Sequence, residues 1–102
     1  MDSRDIMYYF ILNKGMRIML TIKDRFKALG YHENESVERN LNHVVYQKND
    51  KQGNVSTIEF DSRKIKLYNS NNSHFEITPE LLRLLYRQCN EFEWNAFDLV
   101  KV

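Results

Sequence analysis

Hydrophobic and polar residues follow three patterns along this chain. The first is a continuous apolar run, IMYYFILNKGMRIML, which spans Ile6 to Leu20. The second is a helical spacing that occurs twice, over TIKDRFKALGY and over ITPELLRLLYRQCNEF. The third lies between these two helical segments, where apolar and polar residues alternate as they do in β-strands with one buried face. The patterns predict two helices on either side of a series of strands.

Both predicted helices begin at capping residues. Thr21 can cap the first helix, with Asp24 as its capping-box partner and Gly30 as the left-handed exit. Thr78 caps the second helix, and Pro79 occupies the first helical position, where its missing N–H costs nothing. Apolar residues recur on one face of each helix: Ile22, Phe26 and Leu29 in the first, and Leu81, Leu82, Leu84, Leu85, Cys89 and Phe92 in the second. The second helix is expected to end before Trp94.

The strand series comprises four segments, HVVYQK, VSTIEFD, IKLYN and HFEI, which are separated by turn residues. In the second and third segments, Ile58, Phe60, Ile65 and Leu67 share the apolar face. The stretch HENESVER, which precedes the strands, has no apolar period and is interpreted as a loop. We therefore predict an α+β fold with a small antiparallel sheet of three or four strands packed against two helices. An N-terminal hairpin would add further strands.

One domain over residues 1–102 is expected, because half of so short a chain would have little core. Residues 19–94 form its predicted core, and 95–102 an apolar tail that packs back or binds something. Residues 1–18 are interpreted as an extension or a hairpin with Asn-Lys-Gly as its turn, and a helix from Ser3 is the alternative. All four methionines lie within residues 1–19. Two interpretations are open: Met19 is an alternative translation start, or the methionines fill the core.

Charge and length limit the classes of function. Fifteen basic and fourteen acidic residues give a net charge of +1, which argues against bulk nucleic acid or an anionic membrane as the partner. The run from Ile6 to Leu12 is too short to cross a bilayer, which needs about 20 apolar residues. Cys89 is the only cysteine and cannot form an internal disulfide, so the cytoplasm is the expected compartment.

Motifs for catalysis are missing from the sequence. It has no phosphate-binding glycine loop, no paired metal-ligand spacing and no glycine-flanked serine. The histidines, His32, His43 and His74, are far apart in sequence. Glu59 with Asp61 is interpreted as a pair of solvated carboxylates, as is Glu91 with Glu93, and Cys89 as an inert packing residue. The chain is therefore predicted to be no enzyme and to use no cofactor or metal.

The segments TIKDRFKALGY, VVYQK, IEFD, IKLY and ITPELLRLLYRQCNEFEW, which together span Met19 to Trp94, resemble a known group. They are similar to small proteins of phages and integrative elements in low-GC Gram-positive bacteria. The resemblance implies an accessory protein that inhibits a host protein, as anti-CRISPR proteins do. It transfers no catalytic residues.

Two functions are predicted from the residues. A protein-binding module is favoured by the near-neutral charge, the tyrosines and the apolar ends, which are also candidates for a homodimer contact. A nucleic-acid-binding regulator is the alternative, based on Lys23, Arg25 and Lys27 and on the basic strand segment. The predicted partner-binding residues are Arg63, Lys64, Lys66 and Tyr68, with a host protein as the expected partner.

Overall fold

The computed structural model describes residues 9–12, 16–38 and 42–101, and over 9–12 and 16–19 it describes the backbone alone. The described elements are, in chain order, β1 (Tyr9–Leu12), β2 (Met16–Met19), α1 (Ile22–Ala28), β3 (His32–Glu33), β4 (His43–Asn49), β5 (Val55–Asp61), β6 (Lys64–Asn69), α2 (Pro79–Glu91) and β7 (Asp98–Lys101). In this part of the chain, neither helix has the length and apolar character needed to span a membrane.

The main sheet has five strands in the order β3-β4-β5-β6-β7. Neighbours from β3 to β6 are antiparallel, whereas β7 is parallel to β6. The predicted α+β class, a sheet packed against two helices, is confirmed. The sheet is mixed rather than purely antiparallel, and it has five strands instead of three or four.

The parallel strand β7 comes from the tail that was predicted only to pack back or to bind something. Ile65 pairs with Leu99 and Leu67 with Lys101, so the tail extends the sheet beside β6. A parallel neighbour requires a crossover between the two strands, and the segment that contains α2 supplies it. The tail therefore belongs to the fold.

The segment HFEI, predicted as the fourth strand, is not a strand, and the second neighbour of β6 is β7. The side-chain amide of Asn69 donates hydrogen bonds to the backbone carbonyls of Ser73 and His74, at 3.2 and 3.0 Å. Phe75 is buried, and Ile77 packs against the core. The apolar residues of this segment are therefore packed in or against the core without strand pairing.

The stretch HENESVER also differs from its prediction as a loop. Its first two residues form β3, in which His32 pairs with Gln47 and Glu33 with Tyr46. Where the structure describes the rest of this stretch, it contains no further helix or strand, so the loop prediction holds there.

The N-terminal apolar run contains a strand pair. β1 and β2 are antiparallel, with Tyr9 opposite Met19 and Leu12 opposite Met16, and they form a separate two-stranded sheet. This pairing confirms the two predicted β segments and excludes the alternative helix over the described residues. The Asn-Lys-Gly turn lies outside the described residues. The use of Met19 as a start stays a prediction.

The first helix has the predicted cap and the predicted buried face. The Thr21 hydroxyl accepts the Asp24 N–H at 3.1 Å, and the Asp24 carboxylate accepts the Thr21 N–H at 3.2 Å. Phe26 is fully buried, with Ile22 and Leu29 packed beside it. Gly30, with φ of 92°, provides the exit that a residue with a side chain would resist.

The second helix follows its prediction except at two positions. Thr78 caps it, and it ends at Glu91, before the buried Trp94. Leu82 was placed on the buried stripe but is 39% exposed, whereas Gln88 is completely buried. At about 100° per residue, Gln88 lies roughly 20° from the buried Leu81, while Leu82 lies roughly 100° away. Helix geometry therefore favours Gln88 over Leu82 for burial.

Both helices pack on the same face of the main sheet. Phe26 of α1 stacks on Tyr46 of β4, with ring centroids 4.0 Å apart. Gln88 of α2 accepts a hydrogen bond from the Tyr46 hydroxyl at 2.9 Å. Phe60 of β5 contacts Phe26 and Trp94 in the same cluster. Described helices cover this core face, and none lies on the other.

Candidate functional site

The face of the main sheet opposite the helices, here called the outer face, is built from alternate residues of β4 to β7. Cross-strand pairing places these residues in rows. One row is His43, Asp61, Lys64 and Asp98; the next is Val45, Glu59, Lys66 and Val100; a third contains Gln47, Thr57 and Tyr68. Polar and charged side chains dominate the first two rows.

Three of the four predicted partner-binding residues lie on this face. Lys64, Lys66 and Tyr68 alternate along β6 with Ile65 and Leu67, which are fully buried on the core face. Lys64 is exposed, and Lys66 and Tyr68 are half-buried. The alternation predicted from the sequence therefore holds along this strand.

The fourth, Arg63, lies in the turn between β5 and β6. Ser62 and Arg63 both have positive φ, 49° and 65°, which is typical of tight hairpin turns whose twist matches the strands. Arg63 is exposed, and its carbonyl accepts the Asp98 N–H at 2.9 Å. The structure thus brings Arg63 next to the outer face, at the end where β6 begins.

The sequence did not reveal a cluster formed by His43, Glu59 and Asp61. The Nε2 atom of His43 lies 3.0 Å from Oε2 of Glu59, and the two side chains are 28% and 24% exposed. Asp61 is directly opposite His43 in the β4–β5 pair. The sequence analysis interpreted Glu59 and Asp61 as a pair of solvated carboxylates and did not connect His43 with them, because only the pairing of β4 with β5 makes His43 their neighbour.

A polar ladder crosses the third row. Asn34 Nδ2 donates to Gln47 Oε1 at 3.2 Å, and Gln47 Nε2 donates to Thr57 Oγ1 at 3.4 Å. Thr57 is only 3% exposed, so the ladder gives this buried hydroxyl a hydrogen bond. The bonds link Asn34, which directly follows β3, to β4 and β5 on the outer face.

The basic residues of α1 lie in the other layer of the molecule. Lys23 and Lys27 are exposed, and the Lys23 ammonium forms an ion pair with Glu35 at 3.2 Å. Because α1 covers the core face, Lys23 and Lys27 do not extend the outer face. The two basic groups on which the nucleic-acid-binding alternative is based are therefore on different sides of the sheet.

Exposed apolar side chains occur on α2 and on β7. Leu82 and Tyr86 are exposed on α2, and the Tyr86 ring contacts Phe97 edge-on at a centroid distance of 5.4 Å. Leu99 and Val100 of β7 are 44% and 38% exposed. The predicted homodimer contact through the apolar ends would involve β7 and the N-terminal run. The side chains of the N-terminal run lie outside the described part of the chain.

Cys89 is a packing residue at 1% exposure, and burial raises the pKa of its thiol to about 12. We expect no reaction with a thiol reagent such as Ellman's reagent at pH 8 until denaturant unfolds the chain. Because the pKa of this thiol is higher in the folded protein, the unfolded chain loses the thiol proton at a lower pH than the folded protein does. The free energy of unfolding therefore falls as the pH rises from about 9 toward 12. Rapid stoichiometric labelling of the native protein would contradict this prediction.

Comparisons with protein-family models, with curated proteins and with solved structures found no match for this chain.

Proposed function

We propose that this protein is a binding module that acts through stoichiometric contact with another protein, without turnover, and that the outer face carries the contact. The observation that supports this most directly is that Lys64, Lys66 and Tyr68 lie side by side along β6, on the sheet face without helices. Arg63 lies next to them in the turn. Basic and aromatic side chains aligned along a strand suit recognition of a protein surface.

The strand that carries these residues has little freedom to move. β6 is paired on both sides, with β5 and with β7. A side chain presented from such a strand loses less conformational entropy on binding than the same side chain on a loop. Tyr68 adds a large, half-buried amphipathic ring at low entropic cost.

Charges of both signs alternate across the outer face. Lys64 lies between Asp61 and Asp98 in its row, and Lys66 lies opposite Glu59. Among the described residues, neither lysine forms an ion pair within 4 Å. The ammonium groups can therefore meet carboxylates of a partner, while the acidic neighbours would repel a continuous phosphate backbone. This mixture favours a protein partner over nucleic acid.

The resemblance described above suggests the setting. It favours an accessory protein of a phage or integrative element that acts in the host cytoplasm and inhibits a host protein such as a defence (CRISPR-Cas) component. That setting stays a prediction. A partner-binding surface and a small, stably folded domain are both compatible with it.

The test is to reverse the charge of the two lysines in the full-length chain, Lys64→Glu and Lys66→Glu. Association with a partner captured from a host lysate is expected to slow and the affinity to fall by about tenfold or more, because complementary charge steers encounter. Glu at position 66 would stand opposite Glu59, and Glu at position 64 would stand between Asp61 and Asp98. At about 0.2–1 kcal/mol for each like-charge contact, the three contacts together cost about 0.6–3 kcal/mol, so the melting temperature should fall by several degrees. Surface plasmon resonance and thermal melts measure the two effects.

The matched control carries Lys51→Glu and Arg83→Glu, which change the net charge equally at exposed positions in a turn and on α2. This control should bind like the wild type. Equal affinity for the outer-face variant and the wild type would eliminate the outer face as the contact. Loss of the complex after nuclease treatment would instead favour the nucleic-acid-binding alternative.

A further inference from the structure

The cluster of His43, Glu59 and Asp61 has a chemistry that the proposed binding function does not use. It joins one imidazole and two carboxylates, and its three potential ligand atoms lie within 4.8 Å of one another. All three side chains are half-buried, on the central strands β4 and β5. We infer that these residues form a binding site for a divalent cation of the zinc class, a site that is independent of the proposed function.

The spacing of the ligand atoms suits such an ion. Bonds of about 2.0–2.1 Å in a tetrahedral arrangement place neighbouring ligand atoms roughly 3.3 Å apart. Nε2 of His43 and Oε2 of Glu59, at 3.0 Å, are already near that separation. Asp61 enters the site by a small side-chain rotation, since its Cα is paired directly with that of His43. No movement of the sheet is required.

The surroundings support the arrangement of the ligands. Seven consecutive residue pairs join β4 to β5, from His43 and Asp61 to Asn49 and Val55, so the backbone under the site is fixed. The Ser62 hydroxyl donates to Oδ1 of Asp61 at 3.0 Å, which orients that carboxylate and leaves Oδ2 for the ion. A site whose ligands are oriented before binding loses less entropy when the ion enters.

The donor set selects among cations. Imidazole nitrogen suits zinc, cobalt, nickel and copper, whereas calcium and magnesium prefer six or more oxygen ligands. Three protein ligands leave at least one coordination position for water or for a group from a partner. Lys64, opposite Asp61, and Lys66, opposite Glu59, place positive charge nearby and so weaken cation binding. The site is therefore expected to be weaker than a structural zinc site.

Titration of the untagged, full-length protein with Co²⁺ tests the inference, because cobalt bound by nitrogen and oxygen ligands absorbs visible light. We expect one equivalent to bind and Zn²⁺ to displace it. Glu59→Gln, Asp61→Asn and His43→Gln should each lower the affinity by at least about tenfold, since each removes one ligand. His32→Gln and His74→Gln, at exposed histidines outside the cluster, should leave the affinity unchanged.

Thermal melts of each variant without metal separate ligand loss from unfolding, and Glu59→Gln and Asp61→Asn preserve side-chain volume. Zn²⁺ should raise the melting temperature of the wild type and of the two control variants, and not that of the three ligand variants. The inference would be overturned if the wild type bound no metal at millimolar concentration, or if the ligand variants bound metal with the affinity of the wild type. The cluster would then be a His43–Glu59 ion pair beside a solvated Asp61.

Discussion

Replacing Phe60 with alanine is expected to lower the free energy of unfolding by about 3–5 kcal/mol, as is usual for a fully buried phenylalanine. The Phe60 ring contacts four other aromatic rings of the core, those of Phe26, Tyr46, Phe92 and Trp94. Removing it leaves a cavity that no single neighbour can fill. A domain of this size has only about 5–15 kcal/mol of stability in total. Chemical denaturation followed by tryptophan fluorescence measures the loss.

Tyr86→Ala is the matched control for this substitution, because it removes a ring of similar size from a side chain that is 51% exposed. We expect it to cost about 1 kcal/mol or less, which includes its edge contact with Phe97. The loss of unfolding free energy for Phe60→Leu should lie between the losses for Phe60→Ala and Tyr86→Ala. This variant keeps the comparison informative if Phe60→Ala does not fold. A loss at Phe60 no larger than the loss at Tyr86 would contradict the core described above.

The second large effect is expected from the buried hydrogen bond between Tyr46 and Gln88. The Tyr46 hydroxyl donates to Oε1 of Gln88 at 2.9 Å, and both side chains are fully buried. Nε2 of Gln88 has no hydrogen-bond partner among the described residues. Tyr46→Phe removes the hydroxyl and leaves the buried amide oxygen without this bond, which should cost about 1–3 kcal/mol.

A double-mutant cycle isolates this bond. Gln88→Met replaces the buried amide with an apolar side chain of similar length, and with Tyr46→Phe it removes both partners together. The double variant should be more stable than the sum of the single losses predicts, by about 0.5–3 kcal/mol. Losses that simply add would show that the two groups do not stabilise each other. Urea denaturation of the four proteins supplies the values.

The candidate surface was only partly predictable. Alternation along β6 was enough to place Lys64, Lys66 and Tyr68 on one face, because a strand turns successive side chains to opposite sides. The cluster of His43, Glu59 and Asp61 required knowledge of which strands pair and in what register. Sixteen residues separate His43 from Glu59 in the chain, and no local signal specifies that distance. A site formed by side chains from two strands therefore cannot be recognised in the sequence of either strand alone.

Features that depend on neighbours within a few residues could be predicted from the sequence. These are the capping box at Thr21, the Thr78-Pro79 start of α2, the positive φ of Gly30, and the alternation in β5 and β6. Each follows from hydrogen bonds or side-chain directions that are set within about one helical turn or a pair of strand residues. For the same reason, the α+β class could be predicted.

The positions of the remaining segments depend on contacts between distant parts of the chain. HFEI and DLVK are both short and partly apolar, yet the first has no regular structure and accepts a hydrogen bond from Asn69, whereas the second pairs with β6. Strand propensity cannot distinguish them, because a strand is stabilised by its partner rather than by its own residues. Contacts between residues far apart in the chain, which a local pattern does not encode, therefore set the edge of the sheet and the chemistry of its outer face.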